Sequence, residues 1–415
     1  SNELSEVVIP ESIERIGGRA FFDNKLTTLV VPQSLTIISQ RAFGSNLLTE
    51  ITLGAGVTSI GERAFSNNLL TEITLGAGVT IGSGAFTQNQ LTELALPDGI
   101  EVINSGAFSF NKLSNLKIPD SVVTIEGNAF NTNELVSLSI GSGVKSIEGN
   151  AFSKNELSEL IIPDSVTNLG FRAFAENLLE DVTIGHGLTK IEDRVFQGNL
   201  ITDISIPDGI LSIGPNAFES NRLATLVIPD SVASIGGSAF GSNRLTDISF
   251  GSGIAIIEER VFEKNRLTEV SIPNGIPSIG SRAFAENRLA TIVIPNSVVS
   301  IGEAAFQNNQ LTDVTMSNGI ISIGKSAFEL NRLTTVVLPD TITKIDEYAF
   351  MSNSLSSLVI PPKLSTISEY AFASNSLVNV VIPNNVEAIG EYAFQNNLLL
   401  TVKFRGDRPN ISKEY

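Results

Sequence analysis

The sequence contains no cysteine and no tryptophan, only one histidine, and few basic residues for its length. Without cysteine it has no disulfide framework, no thiolate metal ligand and no thiol nucleophile. Its 27 Lys and Arg are outnumbered by 44 Asp and Glu, so the formal net charge is −17. Phosphate binding needs clustered basic side chains, and we therefore predict no nucleic-acid partner. Because no apolar run approaches the roughly 20 residues that cross a bilayer, we also predict no membrane insertion.

An asparagine and a phenylalanine recur with a fixed period along the chain. The asparagine occurs nineteen times from Asn2 to Asn397, always 22 residues apart except for the interval of 21 between Asn68 and Asn89. The phenylalanine recurs in all eighteen repeats, beginning at Phe21. A period of this length indicates one small supersecondary unit stacked many times. The sequence therefore predicts a solenoid in which each repeat contacts only its neighbours.

One repeat, residues 265–286, illustrates the expected local structure. Val270 and Ile272 alternate with polar residues, which predicts a half-buried strand. A Pro-Asn-Gly sequence follows and predicts a turn. Ala283 comes four residues after Ile279, so we expect one turn of 3₁₀ or α-helix there. A repeat this small buries too little surface to fold alone, so the strands are expected to stack in parallel at about 4.8 Å.

The recurring asparagine has a structural interpretation. An asparagine side chain carries two donors and an acceptor oxygen with two lone pairs. At the entrance to a strand these groups can bond to backbone groups of adjacent loops, which would otherwise be buried without partners. We therefore expect the asparagines to form a structural ladder and not a ligand site.

The full pattern is N-x-L-x-x-φ-x-φ-P-x-x-φ-x-x-I-G-x-x-A-F-x-x, where φ is aliphatic. Segments such as Leu267–Pro273, Ile279-Gly280 and Ala283-Phe284 carry it, and it resembles the BspA-like, or treponemal-type, leucine-rich repeat family. Two departures are a repeat one residue shorter than is common in the family and Asn where many relatives have Cys. The resemblance implies an arc with a parallel β-sheet on the concave face and short 3₁₀ or α turns on the convex face. It also implies an exported or surface-attached protein that binds host proteins, matrix or other cells.

We expect one domain, a leucine-rich repeat solenoid of eighteen 22-residue units over residues 1–404, followed by a capping turn and tail over 405–415. The tail contains Arg405-Gly406-Asp407, the tripeptide that integrins recognise. Gly406 and Pro409 fit a capping turn of the family's type, so we interpret the tripeptide as coincidental. Repeats start at once, without a polar cap or a signal peptide, and we therefore expect a fragment of a longer extracellular or cell-surface protein.

The first outward position of the strand is acidic in ten repeats. The first of these residues is Glu6. The candidate ligand-binding residues at this position are Glu50, Glu72, Glu93, Glu159, Asp181, Asp203, Asp247, Glu269 and Asp313. Stacked repeats would place such carboxylates about 5 Å apart, where like charges repel. Three interpretations remain open: a solvated face, a basic protein partner, or bound calcium.

Two further ladders lie near the C-terminus. The second outward strand position carries Val337, Val359 and Val381, and the position before the Ala-Phe pair carries Tyr348, Tyr370 and Tyr392. The valines form either an exposed apolar interaction strip or a strip that other parts of the protein cover. The tyrosines either stack on one another or offer a platform to a ligand.

The sequence offers no catalytic motif. His186 is the single histidine and is expected to be a surface residue of a turn, and the repeats form no unique cleft. We therefore predict a non-enzymatic module without cofactor or metal. It would bind a protein or matrix ligand through the concave face. The alternatives are a structural spacer, and a carbohydrate-binding or carbohydrate-active protein.

Overall fold

The computed structural model describes residues 2–405. It divides into two compact units, Ser1–Gly209 and Ile210–Tyr415. Each unit is a solenoid of parallel strands, as the sequence predicts. No described residue belongs to an α- or 3₁₀-helix, so no helix in this part of the chain is long and apolar enough to cross a membrane.

All strands are short. In the first unit they are β1 Thr28–Val30, β2 Ile37–Ile38, β3 Glu50–Thr52, β4 Ser59–Ile60, β5 Thr80–Ile81, β6 Val102–Ile103, β7 Asn115–Lys117, β8 Thr124–Ile125, β9 Ser137–Ser139, β10 Ser146–Ile147, β11 Glu159–Ile161, β12 Asn168–Leu169, β13 Asp181–Thr183 and β14 Lys190–Ile191. In the second unit they are β15 Ser212–Ile213, β16 Thr225–Val227, β17 Ser234–Ile235, β18 Asp247–Ser249, β19 Ile256–Ile257, β20 Ser278–Ile279, β21 Thr291–Ile294, β22 Ser300–Ile301, β23 Asp313–Met316, β24 Ser322–Ile323, β25 Lys344–Ile345, β26 Thr366–Ile367, β27 Asn379–Ile382, β28 Ala388–Ile389 and β29 Thr401–Phe404.

Each repeat contributes to two ladders of strands. The first ladder consists of the three- and four-residue strands. In it each residue pairs with the residue one repeat later, as Thr28 does with Glu50. It is divided into two-stranded sheets, β1-β3, β7-β9 and β11-β13 in the first unit and β16-β18, β21-β23 and β27-β29 in the second. The second ladder consists of the two-residue strands. It forms β2-β4-β5 and β6-β8-β10-β12 in the first unit, and its longest run in the second unit extends from β15 to β25.

The core is a column of phenylalanine rings enclosed by aliphatic side chains. Phe240, Phe262 and Phe284 are fully buried. Their ring centroids lie 5.9 and 5.6 Å apart with nearly parallel planes. Offset stacking of this kind adds to the free energy gained by burying the rings. The period seen in the sequence is therefore a spatial period within each unit.

The asparagine ladder is confirmed as a structural device. The side chain of Asn265 is buried, and its Oδ1 accepts the backbone N–H of Leu245 in the preceding repeat at 3.0 Å. Its Nδ2 donates to the carbonyl oxygens of Phe240 at 2.9 Å and Phe262 at 3.2 Å. One side chain thus satisfies backbone groups of two adjacent repeats, which would otherwise be buried without partners.

The predicted helical turn is wrong. Arg282 and Glu286 have φ values of 56°, in the left-handed region, and such residues end a right-handed helix. Alternate amides bond to the next repeat: Arg282 N–H to the Glu303 carbonyl at 2.7 Å and Phe284 N–H to the Ala305 carbonyl at 2.9 Å. These N–H groups therefore bond to the neighbouring repeat and not to carbonyls within a helical turn. The i, i+4 spacing of Ile279 and Ala283 has another cause, because both residues point into the same core from a strand and a turn.

The glycine after the second-ladder isoleucine is explained by close packing. A Cβ atom on Gly280 would lie 2.5 Å from the carbonyl carbon of Glu258 in the preceding repeat. Backbone cannot move away as a flexible side chain can, so a side chain at Gly280 would force the neighbouring repeat to shift. The glycine of the Ile-Gly pair therefore permits a close approach between neighbouring repeats.

Candidate functional site

The nine acidic candidates lie on the outward side of the first ladder, which we call the strand face. All nine side chains are exposed. Five of them belong to strands of the first ladder, namely Glu50, Glu159, Asp181, Asp247 and Asp313. The other four, Glu72, Glu93, Asp203 and Glu269, lie at the same register in repeats where no strand forms. The strand predicted at Val270 and Ile272 is one of those that do not form.

Three open grooves interrupt the strand face, and each is lined by two of the predicted acidic residues. Groove A contains Glu50 and Glu72 and has a volume of about 520 Å³. Groove B contains Asp181 and Asp203 and has a volume of about 640 Å³. Groove C contains Asp247 and Glu269 and has a volume of about 480 Å³. The structure therefore brings these acidic residues together in pairs.

The grooves occur where the first ladder loses its pairing. In groove A, Leu69 N–H still bonds to the Leu48 carbonyl at 2.9 Å, but within residues 2–405 no backbone bond joins 50–53 to 72–75. Adjacent carboxylates repel by about 1 kcal/mol even in water, which favours such a separation. Repulsion alone does not decide the outcome, because Glu159 and Asp181 face each other in a paired sheet.

Groove A combines a charged rim with an apolar floor. Ile51 and Ile73, the residues after the two glutamates, are only 9% and 8% exposed and form part of its lining. The carboxylates stand above them and are open to solvent. Such a site suits a ligand with a positive end and an aliphatic stem.

Within the described part of the chain, the acidic candidates of the strand face have no basic partner. Among the described residues, no ion pair within 4.0 Å involves any of the nine acidic candidates. Some of the ion pairs lie instead on the turn side of the repeats, near the Ala-Phe pair. There Arg282 bonds to Glu263 at 2.6 Å and to Glu286 at 3.2 Å. The hydrogen bond to Glu263 is the main reason that the pKa of Arg282 is raised. The charge of the strand face is therefore available to a ligand.

The valine strip is exposed on the strand face. Val337 and Val359 are 80% and 81% exposed, whereas Val381 is 38% exposed. Val359 and Val381 are direct neighbours in a parallel bridge. The described residues therefore leave this strip uncovered.

The tyrosines stack on one another, on the turn side of the repeats. The ring centroids of Tyr348 and Tyr370 are 5.0 Å apart, and those of Tyr370 and Tyr392 are 4.9 Å apart. Burial in this stack, followed by the neighbouring Tyr392, raises the pKa of the Tyr370 hydroxyl. Lys325 lies 5.4 Å from the centre of the Tyr348 ring and closes one end of the stack. The valines and the tyrosines thus belong to different parts of the repeat.

His186 lies in an exposed turn, as expected. Its backbone N–H donates to Asp164 at 2.8 Å, and its Nδ1 lies 3.1 Å from the same carboxylate oxygen. The backbone bond is the main cause of the lowered pKa of Asp164. Asp120 receives equivalent bonds from Ser142, so this is a repeated link between turns.

The structure also bears on the possible calcium site and on the integrin-type tripeptide. Within residues 2–405, no group of three or more His, Cys, Asp or Glu residues is arranged to hold a metal ion. Gly406 and Asp407, and with them most of the integrin-type tripeptide and the predicted capping turn, lie outside the described residues.

The grooves themselves were not predicted from the sequence. Its only signal for them is the presence of acidic residues in adjacent repeats. A further depression on the turn side of the first unit was also missed. There the signal is the substitution of larger residues by Gly84 and Gly106 at the position before the Ala-Phe pair.

Comparisons with known proteins agree with this architecture. The family model described as BspA type leucine-rich repeat region, with six copies, matches residues 1–89, 79–202, 189–310 and 278–401. No curated protein sequence matches the chain.

Solved structures with a similar fold include a leucine-rich repeat protein from Bacteroides ovatus, with a TM-score of 0.53 and 18% identity, over 94% of this chain and 85% of that one. YopM from Yersinia enterocolitica has a TM-score of 0.50 and 18% identity, over 94% of this chain and 79% of its own. At this identity the likeness concerns the fold alone. Since the family model accounts for nearly the whole chain, the protein belongs to the BspA type leucine-rich repeat family.

Proposed function

We propose that this protein is a non-enzymatic binding module of the cell surface or extracellular space that adheres to a protein or matrix ligand through its strand face. The observation that carries the proposal is the set of three grooves, each with two unpaired carboxylates at its rim. The ligand surface would present lysine or arginine side chains. Leucine-rich repeat proteins typically act as binding scaffolds, which agrees with this role.

The chemistry of the grooves favours basic side chains over other groups. A lysine or arginine has an aliphatic stem that packs on apolar surface and a charged head that stays near water. In groove A the stem would lie over Ile51 and Ile73 while the head reaches Glu50 and Glu72. Each exposed pair contributes at most about 1 kcal/mol. Useful affinity therefore requires several grooves to be occupied together, which a repeated array provides.

The valine strip offers a second contact area on the same face. Val337, Val359 and Val381 are exposed in consecutive repeats and make an apolar surface of the kind that often marks an interaction site. We place it at the edge of the binding face, where it would add hydrophobic contact to the electrostatic attraction of the grooves.

Charge reversal in two grooves tests the proposal. The variant Glu50→Lys, Glu72→Lys, Asp247→Lys, Glu269→Lys would be compared with the wild type for retention of protein-coated beads on surfaces of a lysine-rich peptide and of extracellular-matrix protein. We expect retention to fall at least tenfold on both surfaces. The control variant Asp98→Lys, Asp208→Lys, Glu101→Lys, Glu134→Lys makes the same change in net charge at exposed residues outside the grooves.

The control separates local binding from general electrostatics. If both variants lose retention equally, net charge and not the grooves governs binding. If the wild type is retained by neither surface, the spacer interpretation gains support and the strand face has no basic ligand. A screen for products released from polysaccharides tests the non-enzymatic part, because any turnover would contradict it.

A further inference from the structure

The turn side of the first unit contains a depression of about 620 Å³, which we call the turn-side groove. Its centre lies over Gly84 and Gly106, which occupy the position held by Arg63 and Asn128 in the flanking repeats. This position has φ near 60° in all four repeats. The two glycines therefore relieve backbone strain and remove the side chains that would fill the depression.

The lining of the turn-side groove is polar and rich in donors. The side chains of Arg41, Arg63 and Asn67 make no hydrogen bond or ion pair with the described part of the chain, and the same holds for Gln88 and Asn128. Hydroxyl groups of several serines add donors and acceptors that can rotate. A ligand with many oxygen acceptors and hydroxyl groups satisfies such a lining.

Two aromatic rings lie in the same groove. Phe22 and Phe110 are 37% and 51% exposed, although phenylalanine is normally buried. Both belong to the lining: Phe110 comes from the repeat that contains Gly106, and Phe22 comes from three repeats before that of Gly84. Exposed aromatic faces pack against the C–H faces of flat, partly apolar ring ligands. Polar donors between aromatic rings indicate a sugar and not a simple ion.

The charge of the groove differs from that of the rest of the protein. Two guanidinium groups, Arg41 and Arg63, oppose one carboxylate, Glu62, whose oxygen accepts a bond from Gln40 at 2.9 Å. The net charge of the lining is thus positive in a chain with a net charge of −17. Guanidinium groups bind carboxylate and sulfate oxygens in a bidentate manner.

We propose that the turn-side groove binds an acidic oligosaccharide, a short chain of sugar rings that carries carboxylate or sulfate groups. The rings would pack on Phe22 and Phe110, and the acidic groups would reach Arg41 and Arg63. The lining extends over six repeats, and their five intervals of about 4.8 Å give a groove roughly 24 Å long. A chain of several sugar rings fits this length. The site is separate from the strand face and independent of its proposed ligand.

Calorimetric titration of the full chain with defined hexasaccharides tests this site. Three matched series are needed: neutral, uronate-containing and sulfated. We expect one or both acidic series to bind and the neutral series to bind at least tenfold more weakly. Gly106→Asn fills the groove without a steric clash, because a Cβ on Gly106 would only touch Ser109 Oγ at 3.5 Å. Asparagine tolerates the left-handed region better than most residues, and Asn128 adopts φ of 60° at the same register. Gly106→Asn should weaken binding at least tenfold, as should Arg63→Gln.

The matched control is Ser238→Asn, which introduces the same side chain at the same register of the second unit, where φ is 59°. It should leave affinity unchanged. Thermal unfolding of each variant establishes that the fold is kept. The proposal is overturned if no acidic hexasaccharide binds at millimolar concentration, if the neutral series binds equally well, or if Gly106→Asn binds like the wild type. Binding that Glu50→Lys, Glu72→Lys abolishes would place the sugar on the strand face and would also overturn it.

Discussion

The asparagine ladder makes a prediction whose size follows from its hydrogen bonds. In Asn265→Ala the N–H of Leu245 loses the one partner that it has among residues 2–405 and remains buried, which costs about 1–3 kcal/mol. The carbonyls of Phe240 and Phe262 are affected less, because Asn243 and Asn287 still donate to them at 3.2 and 2.9 Å. Each lost donor there costs about 0.5 kcal/mol. We therefore expect the variant to be about 2–4 kcal/mol less stable.

A second variant tests the direction of these bonds. Asn265→Asp keeps the acceptor for Leu245 N–H but points a second oxygen at two carbonyl oxygens. At neutral pH it should be less stable than Asn265→Ala. The new carboxyl would have a folded pKa above its unfolded value, so its destabilising effect should decrease as the pH falls through that folded pKa.

Native-state hydrogen exchange is the suitable assay, because long repeat arrays do not unfold in two states. Protection of the Leu245 amide should fall in Asn265→Ala, whereas Asn274→Ala, at an exposed asparagine in a turn, should leave it unchanged. Unchanged protection in Asn265→Ala, or a neutral-pH stability of Asn265→Asp equal to that of the wild type, would refute this account of the ladder.

Three further predictions concern the core, the turns and acid stability. Phe284→Ala should lower the local stability measured by native-state hydrogen exchange by about 3–5 kcal/mol, because the ring is fully buried between rings at 5.6 Å on both sides. Leu330→Gly should stabilise the protein by about 0.5–1 kcal/mol, because Leu330 is exposed with φ of 58°; Leu330→Ala keeps the strain and should show no gain in the same assay. The pKa of Asp120 lies below its ordinary value of 3.8, chiefly because the Ser142 backbone N–H donates to it. Its stabilising effect should therefore be complete above pH 3.8 and lost as the pH falls through the lower folded pKa, which an NMR titration of the carboxyl carbon measures.

The fixed period was sufficient to predict the stacking of repeats and the role of the asparagines. Each repeat has to bury Phe262 or its equivalent against the next, and a 22-residue interval allows this in only one register. The same reasoning failed at the turn from Ile279 to Phe284. Apolar spacing there is compatible with a helix, and only the backbone shows that Arg282 is left-handed and that alternate N–H groups bond to the next repeat.

Functional geometry was only partly accessible from the sequence. The alternation rule located Glu269 on the outward face, but it also predicted a strand there, and the structure has a groove instead. Whether two neighbouring strands pair depends on small differences between repulsion and backbone hydrogen bonding. A repeat consensus does not contain this information. The turn-side groove depends on Gly84 and Gly106, which look like ordinary variation until their position relative to Phe110 is known.

The claim on which the rest depends is that residues one repeat apart are lateral neighbours on the strand face. Because the chain has no native cysteine, the pair Thr291→Cys, Asp313→Cys can be tested for disulfide formation without interference. Directly opposed strand residues are about 4.8 Å apart, within the range that a disulfide spans. The off-register pair Thr291→Cys, Thr315→Cys should be too distant. We expect rapid oxidation of the first pair and little of the second; equal oxidation of both, or of neither, would contradict the stacking of repeats.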